Sequence, residues 1–165
     1  MRRFTYKGKY NPVNAHKYVG NVSNVTYRSM WERRFMKYCD MNLNVVRWSS
    51  EELIIPYYSP VDRKMHKYYP DFLLTVKTKD EKTKTMVIEV KPKRETKAPK
   101  KKKKITPRYL QEMKTWSINE AKWKYAEEFC KDRNWEFLIW TEIELDKLGI
   151  KPKSTKRLKP YSRKK

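Results

Sequence analysis

The stretch YYPDFLLTVKTKDEKTKTMVIEVK, residues 68–91, decides the fold that the sequence predicts. Both of its ends are rich in strand-forming side chains, the first is entered through Pro70, and the polar segment 79–84 separates them. Two such runs around a short polar loop predict an antiparallel hairpin. A hairpin centred near Glu81 places Asp71 opposite the far end of the second strand.

Polar residues occupy positions in this hairpin that a core would give to apolar ones. Asp71 begins an apolar run, and Glu89 and Lys91 interrupt the second strand on a single face, since strand residues alternate between faces. Two carboxylates brought together repel each other unless a cation lies between them, and Mg²⁺, with Mn²⁺ as a substitute, takes such oxygen ligands. We therefore expect a metal held by Asp71 and Glu89, with Lys91 orienting a nucleophilic water. The alternative is an edge strand with a solvated polar face.

A third carboxylate is available on a predicted helix over residues 29–40. Trp31, Phe35, Tyr38 and Cys39 recur at helical spacing and predict its buried stripe. Glu32 borders that stripe, so it can reach the site. It also stands three residues after Ser29, as in a capping box, and composition alone favours this capping role.

The flanking segments complete a mixed α/β domain. Residues 45–58 hold strand formers around a break at Ser49-Ser50, with residues 53–55 as the strand. A second helix is predicted from Ser117, with Glu120 completing a capping box, and Trp135–Thr141 is predicted as a further strand. The predicted division is a basic arm at 1–27, a catalytic domain at 28–150 with a Lys-rich loop at 92–108, and a basic disordered tail at 151–165.

The charge of the chain predicts a polyanionic partner. The 165 residues carry 41 Lys and Arg against 19 Asp and Glu, a formal net charge of +22. The candidates for phosphate contact are lysines of the loop and of the second helix: Lys100, Lys101, Lys102, Lys103, Lys104, Lys122 and Lys124. For the helix lysines, a merely solvated helix face is an equal alternative. No apolar run is long enough to span a membrane, and no segment predicts a small-molecule cofactor.

Several polar residues have more ordinary interpretations. His16 and His66 lack the close-pair spacing of a zinc site. His66 could touch a phosphate near Asp71, but an exposed loop position is favoured. One of Glu51 and Glu52 could support the site ligands, but a solvated strand start is favoured for both. Cys39 and Cys130 are interpreted as reduced thiols of an intracellular protein.

The ordered set of motifs resembles a known nuclease family. Pro70-Asp71 followed by Val87-Ile88-Glu89-Val90-Lys91 resembles the PD-(D/E)xK core. Further matching segments occur in order, and together they are similar to the TnsA-type endonucleases and, within them, to phage head-completion nucleases: 27–32, 48–57, 68–72, 89–92 and 135–142. The resemblance covers about residues 26–150.

The resemblance implies a fold, an activity and a setting. The fold is a restriction-endonuclease-like core, in which a central mixed β-sheet is flanked by helices, with basic N- and C-terminal extensions. Glu32, Asp71 and Glu89 would bind Mg²⁺ and Lys91 would complete the site, which reverses the preference for Glu32 as a cap. The implied substrate is double-stranded DNA, cut before tail joining. Little sequence specificity is expected on separate grounds, because attraction of basic residues to phosphates does not depend on sequence. Phage capsid or portal proteins would be partners, in the host cytoplasm or in the virion.

Two other classes of function fit the same composition. A non-catalytic DNA-binding virion protein could retain a nuclease fold, and a ribosomal-type RNA-binding protein could carry such lysine-rich tails. Clustered carboxylates argue against both, because like charges beside a nucleic acid weaken binding unless a metal is present. Metal binding that depends on Asp71 distinguishes the enzyme from the binding modules.

Overall fold

A computed structural model describes residues 7–151. The secondary-structure elements are β1 (Gly8–Lys9), β2 (Thr26–Tyr27), α1 (Met30–Met41), β3 (Val45–Ser50), β4 (Ile55–Tyr58), β5 (Met65–Tyr68), β6 (Phe72–Lys77), β7 (Thr83–Val90), α2 (Pro107–Lys131), β8 (Glu136–Trp140) and α3 (Glu142–Lys147). Single 3-10 turns lie at Ala15–Lys17, Val22–Asn24 and Lys93–Thr96. The predictions for residues 1–6 and 152–165, which include most of the predicted disordered tail, concern residues outside the described range.

The central sheet is mixed, as the sequence predicts. Its strand order is β3-β6-β7-β8. β3, β6 and β7 are antiparallel neighbours, whereas β8 lies parallel to β7. A parallel neighbour needs a crossover connection, and α2 provides it. The α/β fold predicted for the chain is therefore confirmed.

The predicted hairpin is formed by β6 and β7, and its register is close to the expected one. Phe72 pairs with Ile88, so the next pair along the ladder brings Asp71 to Glu89. The turn closes through a hydrogen bond from the Thr78 N–H to the Lys82 carbonyl oxygen, with Glu81 at a φ of 58°. The first predicted strand was too long, because Pro70 has no N–H to donate and a break separates β5 from β6.

The two faces of the sheet are covered by different layers. α1 packs on one face, where Phe35, Trp48 and Phe72 are among the fully buried residues. The hairpin β4–β5 and helix α2 pack on the other, around Ile55, Tyr57, Tyr68 and Ala126. Asp71 and Glu89 belong to this second face, so the layer that α2 and the β4–β5 hairpin form surrounds the candidate site.

Two expectations about strand boundaries in the segment 45–58 were wrong. Ser49 and Ser50 lie within β3 rather than in a break, because they pair with Leu73 and Phe72. The break comes after Ser50, and only Ile55 of the predicted strand 53–55 is in a strand.

The second helix begins ten residues before its predicted start. Pro107 occupies the first turn of α2, and the Thr106 side chain caps it by accepting a hydrogen bond from the Tyr109 N–H. The residues before Ser117 carry a helical signal, because Tyr109, Met113 and Trp116 recur at helical spacing and Gln, Glu, Met and Lys have high helix propensity. The core-facing side of the helix includes Ile118, Ala121, Tyr125 and Phe129, which recur at helical spacing and pack in the core of the second face. The short helix α3, capped by Thr141, was not expected.

A buried carboxylate fixes the N-terminal arm, residues 7–27 of the structure. Asp40 on α1 is inaccessible to solvent and accepts hydrogen bonds from the Tyr10 hydroxyl at 2.9 Å, the Val13 N–H at 2.7 Å and the Asn14 N–H at 2.8 Å. The arm therefore lies over the domain through specific polar contacts.

Two further expectations concern the cysteines and the membrane. Cys39 and Cys130 are free and buried. Within residues 7–151, no helix combines the length and apolar character needed to cross a bilayer.

Candidate active site

Asp71 and Glu89 meet at the end of the β6–β7 hairpin that lies away from its turn. The Asp71 Oδ2 atom accepts a hydrogen bond from the Val90 N–H at 2.7 Å. Glu89 is 6% exposed, and its Oε2 atom accepts a hydrogen bond from the Tyr68 hydroxyl at 2.6 Å. Backbone pairing and a buried tyrosine therefore hold both carboxylates in place.

The two carboxylates oppose each other electrostatically. Burial raises the pKa of Asp71 to about 8, and the charge of Glu89 contributes in the same direction, while the Val90 N–H acts against both. Glu32 is near enough to add to the increase. An acid with this pKa ionises at neutral pH only when a cation compensates it.

Lys91 continues β7 beyond the last paired residue. Its N–H donates to the Trp140 carbonyl oxygen at 2.9 Å, and its Nζ lies 3.2 Å from Glu89 Oε1. Burial alone would lower the pKa of Lys91, but the charge and hydrogen bonding of Glu89 raise it above its ordinary value. The ammonium therefore stays charged beside the carboxylate pair, as the sequence predicts.

Glu32 lies at the first turn of α1, where its side chain caps the helix. Its Oε2 atom accepts from the Arg28 N–H at 2.7 Å and its Oε1 atom from the Ser29 hydroxyl at 3.1 Å. Ser29 accepts in turn from the Glu32 N–H at 3.2 Å. The capping interpretation of Glu32 is therefore present in the structure, and its role as a metal ligand stays a prediction.

Glu51 lies beside the site, whereas the sequence favoured a solvated strand start for it over a supporting role. It is partly buried rather than solvated, its φ is 54°, and its N–H donates to the Asp71 carbonyl oxygen at 3.2 Å. Its carboxylate pairs with Arg28 at 3.1 Å. Burial raises its pKa, which Arg28 opposes. Alternation could have found it, because Glu51 follows Arg47 and Ser49 on one face of β3 once Ser50 is placed in the strand.

One open cleft of about 450 Å³ is lined by Asp71, Glu89 and Glu51, whereas Glu32 and Lys91 are not among its lining residues. Its lining combines acids, tyrosines and basic side chains: Arg28, Glu51, Lys67, Tyr68, Tyr69, Asp71, Glu89 and Lys122. Only some of the predicted phosphate ligands therefore lie at the cleft. Lys122 reaches the cleft, whereas Lys124 and the lysines at 100–104 do not line it. Lys102 instead contacts Glu112 at 3.2 Å.

The donor set fits a hard divalent cation. Within residues 7–151, no three side chains among His, Cys, Asp and Glu form a ready-made metal cluster. Asp71 and Glu89 provide carboxylate oxygens that repel each other, and Mg²⁺ is bound by one or two carboxylates while it keeps several waters. The two residues could hold such an ion with water and phosphate oxygens completing its shell.

The chain is similar to known nucleases over nearly all of the described fold. Residues 42–142 match the family described as TnsA-like endonuclease N terminal, a range that contains Asp71, Glu89 and Lys91. The head completion nuclease of enterobacteria phage T4 is 38% identical over 150 residues, which cover 88% of this chain and 97% of that protein. No solved structure gives a significant match.

Proposed function

Because the chain belongs to the TnsA-like endonuclease family, as its motifs predicted, we propose that it is a Mg²⁺-dependent DNA endonuclease. The observation that carries this proposal is the meeting of Asp71 and Glu89 at one end of the hairpin, with Lys91 beside them. A carboxyl of raised pKa at Asp71, a second carboxylate at Glu89 and an adjacent ammonium are suited to phosphodiester hydrolysis. On a surface that only coats DNA, the same carboxylates would weaken binding, because they repel the phosphates.

The residues of the site have separate tasks in this hydrolysis. Asp71 and Glu89 would hold Mg²⁺, which when bound supplies a Lewis acid at the scissile phosphate and lowers the pKa of water. Lys91 orients the nucleophilic water and offsets phosphate charge. The Tyr68 hydroxyl fixes the orientation of Glu89 through its hydrogen bond at 2.6 Å.

The proposed substrate is double-stranded DNA, cut with little sequence specificity. The net charge of +22 favours contact with phosphates, which carry no base information. The basic side chains Arg28, Lys67 and Lys122 in the cleft lie where a DNA backbone would approach the carboxylates.

The proposed setting is head completion in a tailed phage. The relative from phage T4 is named a head completion nuclease, and its similarity covers 88% of this chain. We place the cleavage on packaged DNA before tail joining, in the host cytoplasm, with incorporation into the virion as a variant of this proposal. Capsid or portal proteins would then dock the enzyme.

Plasmid nicking and metal titration test the activity together. The wild type should nick plasmid DNA in Mg²⁺ or Mn²⁺ and not in EDTA. Asp71→Asn should lose metal binding by isothermal titration and should lower nicking at least about 100-fold. Lys91→Ala should abolish nicking while most DNA binding remains, because many basic residues share that binding.

The matched control is Asp80→Asn, an exposed acid at the turn of the same hairpin. It should bind metal and nick DNA like the wild type. Equal metal binding by wild type and Asp71→Asn would overturn the metal assignment. A wild type that binds DNA but never nicks it would support the non-catalytic virion protein instead.

A further inference from the structure

We propose that Lys122 on α2 is a phosphate-binding residue of the active site, and that Tyr57 and Tyr68 position its ammonium against the scissile phosphate. This inference rests on the proposed endonuclease function and extends it from the metal side of the cleft to the substrate side. Nothing in the family match distinguishes Lys122 from the many other lysines of the chain. Its place in the structure does.

The ammonium of Lys122 is held against two aromatic rings. Its Nζ lies 5.7 Å from the centroid of the Tyr57 ring and 5.5 Å from that of Tyr68. A cation over the face of a tyrosine within about 6 Å is attracted by the ring quadrupole. Tyr57 lies on β4 and Tyr68 on β5, and both side chains are buried. The position of Lys122 is therefore defined by rigid elements.

Tyr68 links this ammonium to the carboxylate pair. Its ring faces Lys122 while its hydroxyl donates to Glu89. One side chain therefore sets the orientation of a site acid and of a cation. The two charged groups that Tyr68 orients both line the cleft.

Lys122 lacks an ion-pair partner among the described residues. No carboxylate oxygen of residues 7–151 lies within 4.0 Å of its Nζ. Both oxygens of Glu89 are already engaged, one by Tyr68 and the other by Lys91. Burial lowers the pKa of Lys122 below its ordinary value, while the charge of Glu89 acts in the opposite direction. A partly dehydrated ammonium that faces a cleft gains most from an anion that enters the cleft, and a DNA phosphate is such an anion.

The other lysines of α2 and of the preceding loop do not share this environment. Lys124 is exposed, and two residues further along a helix correspond to a rotation of about 200°. Lys102 contacts Glu112 and the Tyr109 ring outside the cleft. Lys122 is therefore the lysine of the helix that can touch a phosphate lying over Asp71 and Glu89.

Three variants test this role: Lys122→Met, Lys122→Arg and Lys124→Met. Methionine keeps an unbranched apolar stem of similar length, so the charge is removed with little change in packing. Each variant is compared with the wild type in plasmid nicking at saturating DNA, in the salt dependence of binding to a duplex in EDTA, and in its melting temperature.

We expect the charge of Lys122 to matter most in the transition state. Lys122→Met should lower kcat about 100-fold, the size of effect seen when one preorganised donor to a developing charge is removed. Its salt slope should fall by about 0.9, because one phosphate contact is lost. Lys122→Arg should recover much of kcat, and Lys124→Met should keep kcat within about twofold of the wild type. All melting temperatures should stay close to that of the wild type.

The outcomes separate this inference from the proposed function. A wild type that nicks DNA, together with a Lys122→Met variant that nicks equally fast, would overturn the role of Lys122 and leave the endonuclease standing. An inactive wild type would overturn the proposed endonuclease function, and the salt slope of Lys122→Met would then test Lys122 alone. A slope reduced by about 0.9 would keep Lys122 as a phosphate ligand, and an unchanged slope would overturn that role. A loss of kcat in Lys122→Met that accompanies a large fall in melting temperature, with no recovery by Lys122→Arg, would also count against it.

Discussion

The carboxylates of Asp71 and Glu89 are held together by the backbone and not by attraction between their side chains. The β6–β7 register brings them to adjacent positions, and the Val90 N–H and the Tyr68 hydroxyl fix one oxygen of each. Bringing like charges together in a partly buried cleft destabilises the metal-free protein. Catalytic sites commonly accept such a cost in stability because the same repulsion favours the binding of a cation.

The raised pKa of Asp71 makes the stability of the metal-free protein depend on pH. Its pKa is about 8 when folded and near 3.9 in an unfolded chain. The folded state therefore binds more protons between these values, and stability falls as the pH rises through this window. Asp71→Asn cannot ionise, so in EDTA it should be more stable than the wild type by at least about 1 kcal/mol at pH 8.5. At pH 4 the difference should vanish.

Urea unfolding in EDTA at both pH values measures this difference. Asp80→Asn serves as the control for the loss of one negative charge. Mg²⁺ should stabilise the wild type at pH 8.5 and leave Asp71→Asn unchanged. A variant that is no more stable than the wild type at pH 8.5 would contradict the repulsion between the two carboxylates.

Glu32 tests whether one side chain has both a structural and a catalytic role. Glu32→Gln keeps an oxygen to accept from the Arg28 N–H, so the helix cap should survive and the melting temperature should change little. If Glu32 also serves the site, as the family resemblance implies, nicking should fall sharply. A melting curve beside a nicking assay decides between the two roles. Unchanged nicking would leave Glu32 as a helix cap alone.

At the scale of elements, local signals predicted some parts of the fold and missed others. The hairpin and α1 were predictable, because their hydrophobic periods and the Ser29 cap are encoded in neighbouring residues. The start of α2 was misplaced because the capping-box pattern of Ser117 and Glu120 was interpreted as the helix start, although Tyr109, Met113 and Trp116 recur at helical spacing before it. Tyr68 was missed as a site residue because its place depends on how β5 lies relative to β7, which no local pattern encodes. Glu51 was assigned to a solvated strand start because Ser49 and Ser50 were placed in a break, whereas they belong to β3.

The contact between α1 and the N-terminal arm gives a prediction about stability. Asp40→Ala leaves the Tyr10 hydroxyl and the Val13 and Asn14 N–H groups without their acceptor, so it should lower the free energy of unfolding by about 3 kcal/mol. Asp40→Asn keeps one carbonyl oxygen and should lose less. Urea unfolding at pH 7 measures both, with the exposed Asp80→Ala as a control.

The pH dependence of this contact has the opposite sign to that of Asp71. Burial alone would raise the pKa of Asp40, but the hydrogen bonds from the arm lower it below its ordinary value. Its contribution is therefore complete above the unfolded pKa near 3.9 and is lost as the pH falls through the lower folded value. Equal stability of Asp40→Ala and wild type at pH 7 would mean that the Asp40 hydrogen bonds to the arm add nothing to the stability of the fold.

At the scale of the whole molecule, basic residues occur both in the cleft and in the C-terminal segment of the sequence. Residues 152–165 contain seven Lys and Arg and no acid. Such a segment offers no apolar anchor for a core, and it adds an attraction to polyanions that does not depend on sequence. The site residues all lie in other segments, so binding by the tail and cleavage by the site can be separated.

Deleting residues 153–165 should weaken DNA binding without stopping catalysis. The salt slope should fall by about 0.9 for each phosphate that the tail neutralises, and to a similar extent on two unrelated duplexes. Turnover at saturating DNA should remain. The rival role is docking on a capsid or portal, which predicts an unchanged slope together with a loss of association with heads. Binding titrations of the full-length and truncated proteins over a range of salt distinguish the two roles.

The N-terminal arm also covers part of one edge of the central sheet. β3 is an edge strand, and an uncovered edge can template strand addition and aggregation. Tyr18 forms a parallel bridge to Trp48, and the Val19 N–H donates to the Trp48 carbonyl oxygen at 2.9 Å. The arm therefore occupies part of this edge. A chain that lost the arm would expose hydrogen-bonding groups of β3 on which a second molecule could pair, so we expect removal of the arm to increase self-association at high concentration.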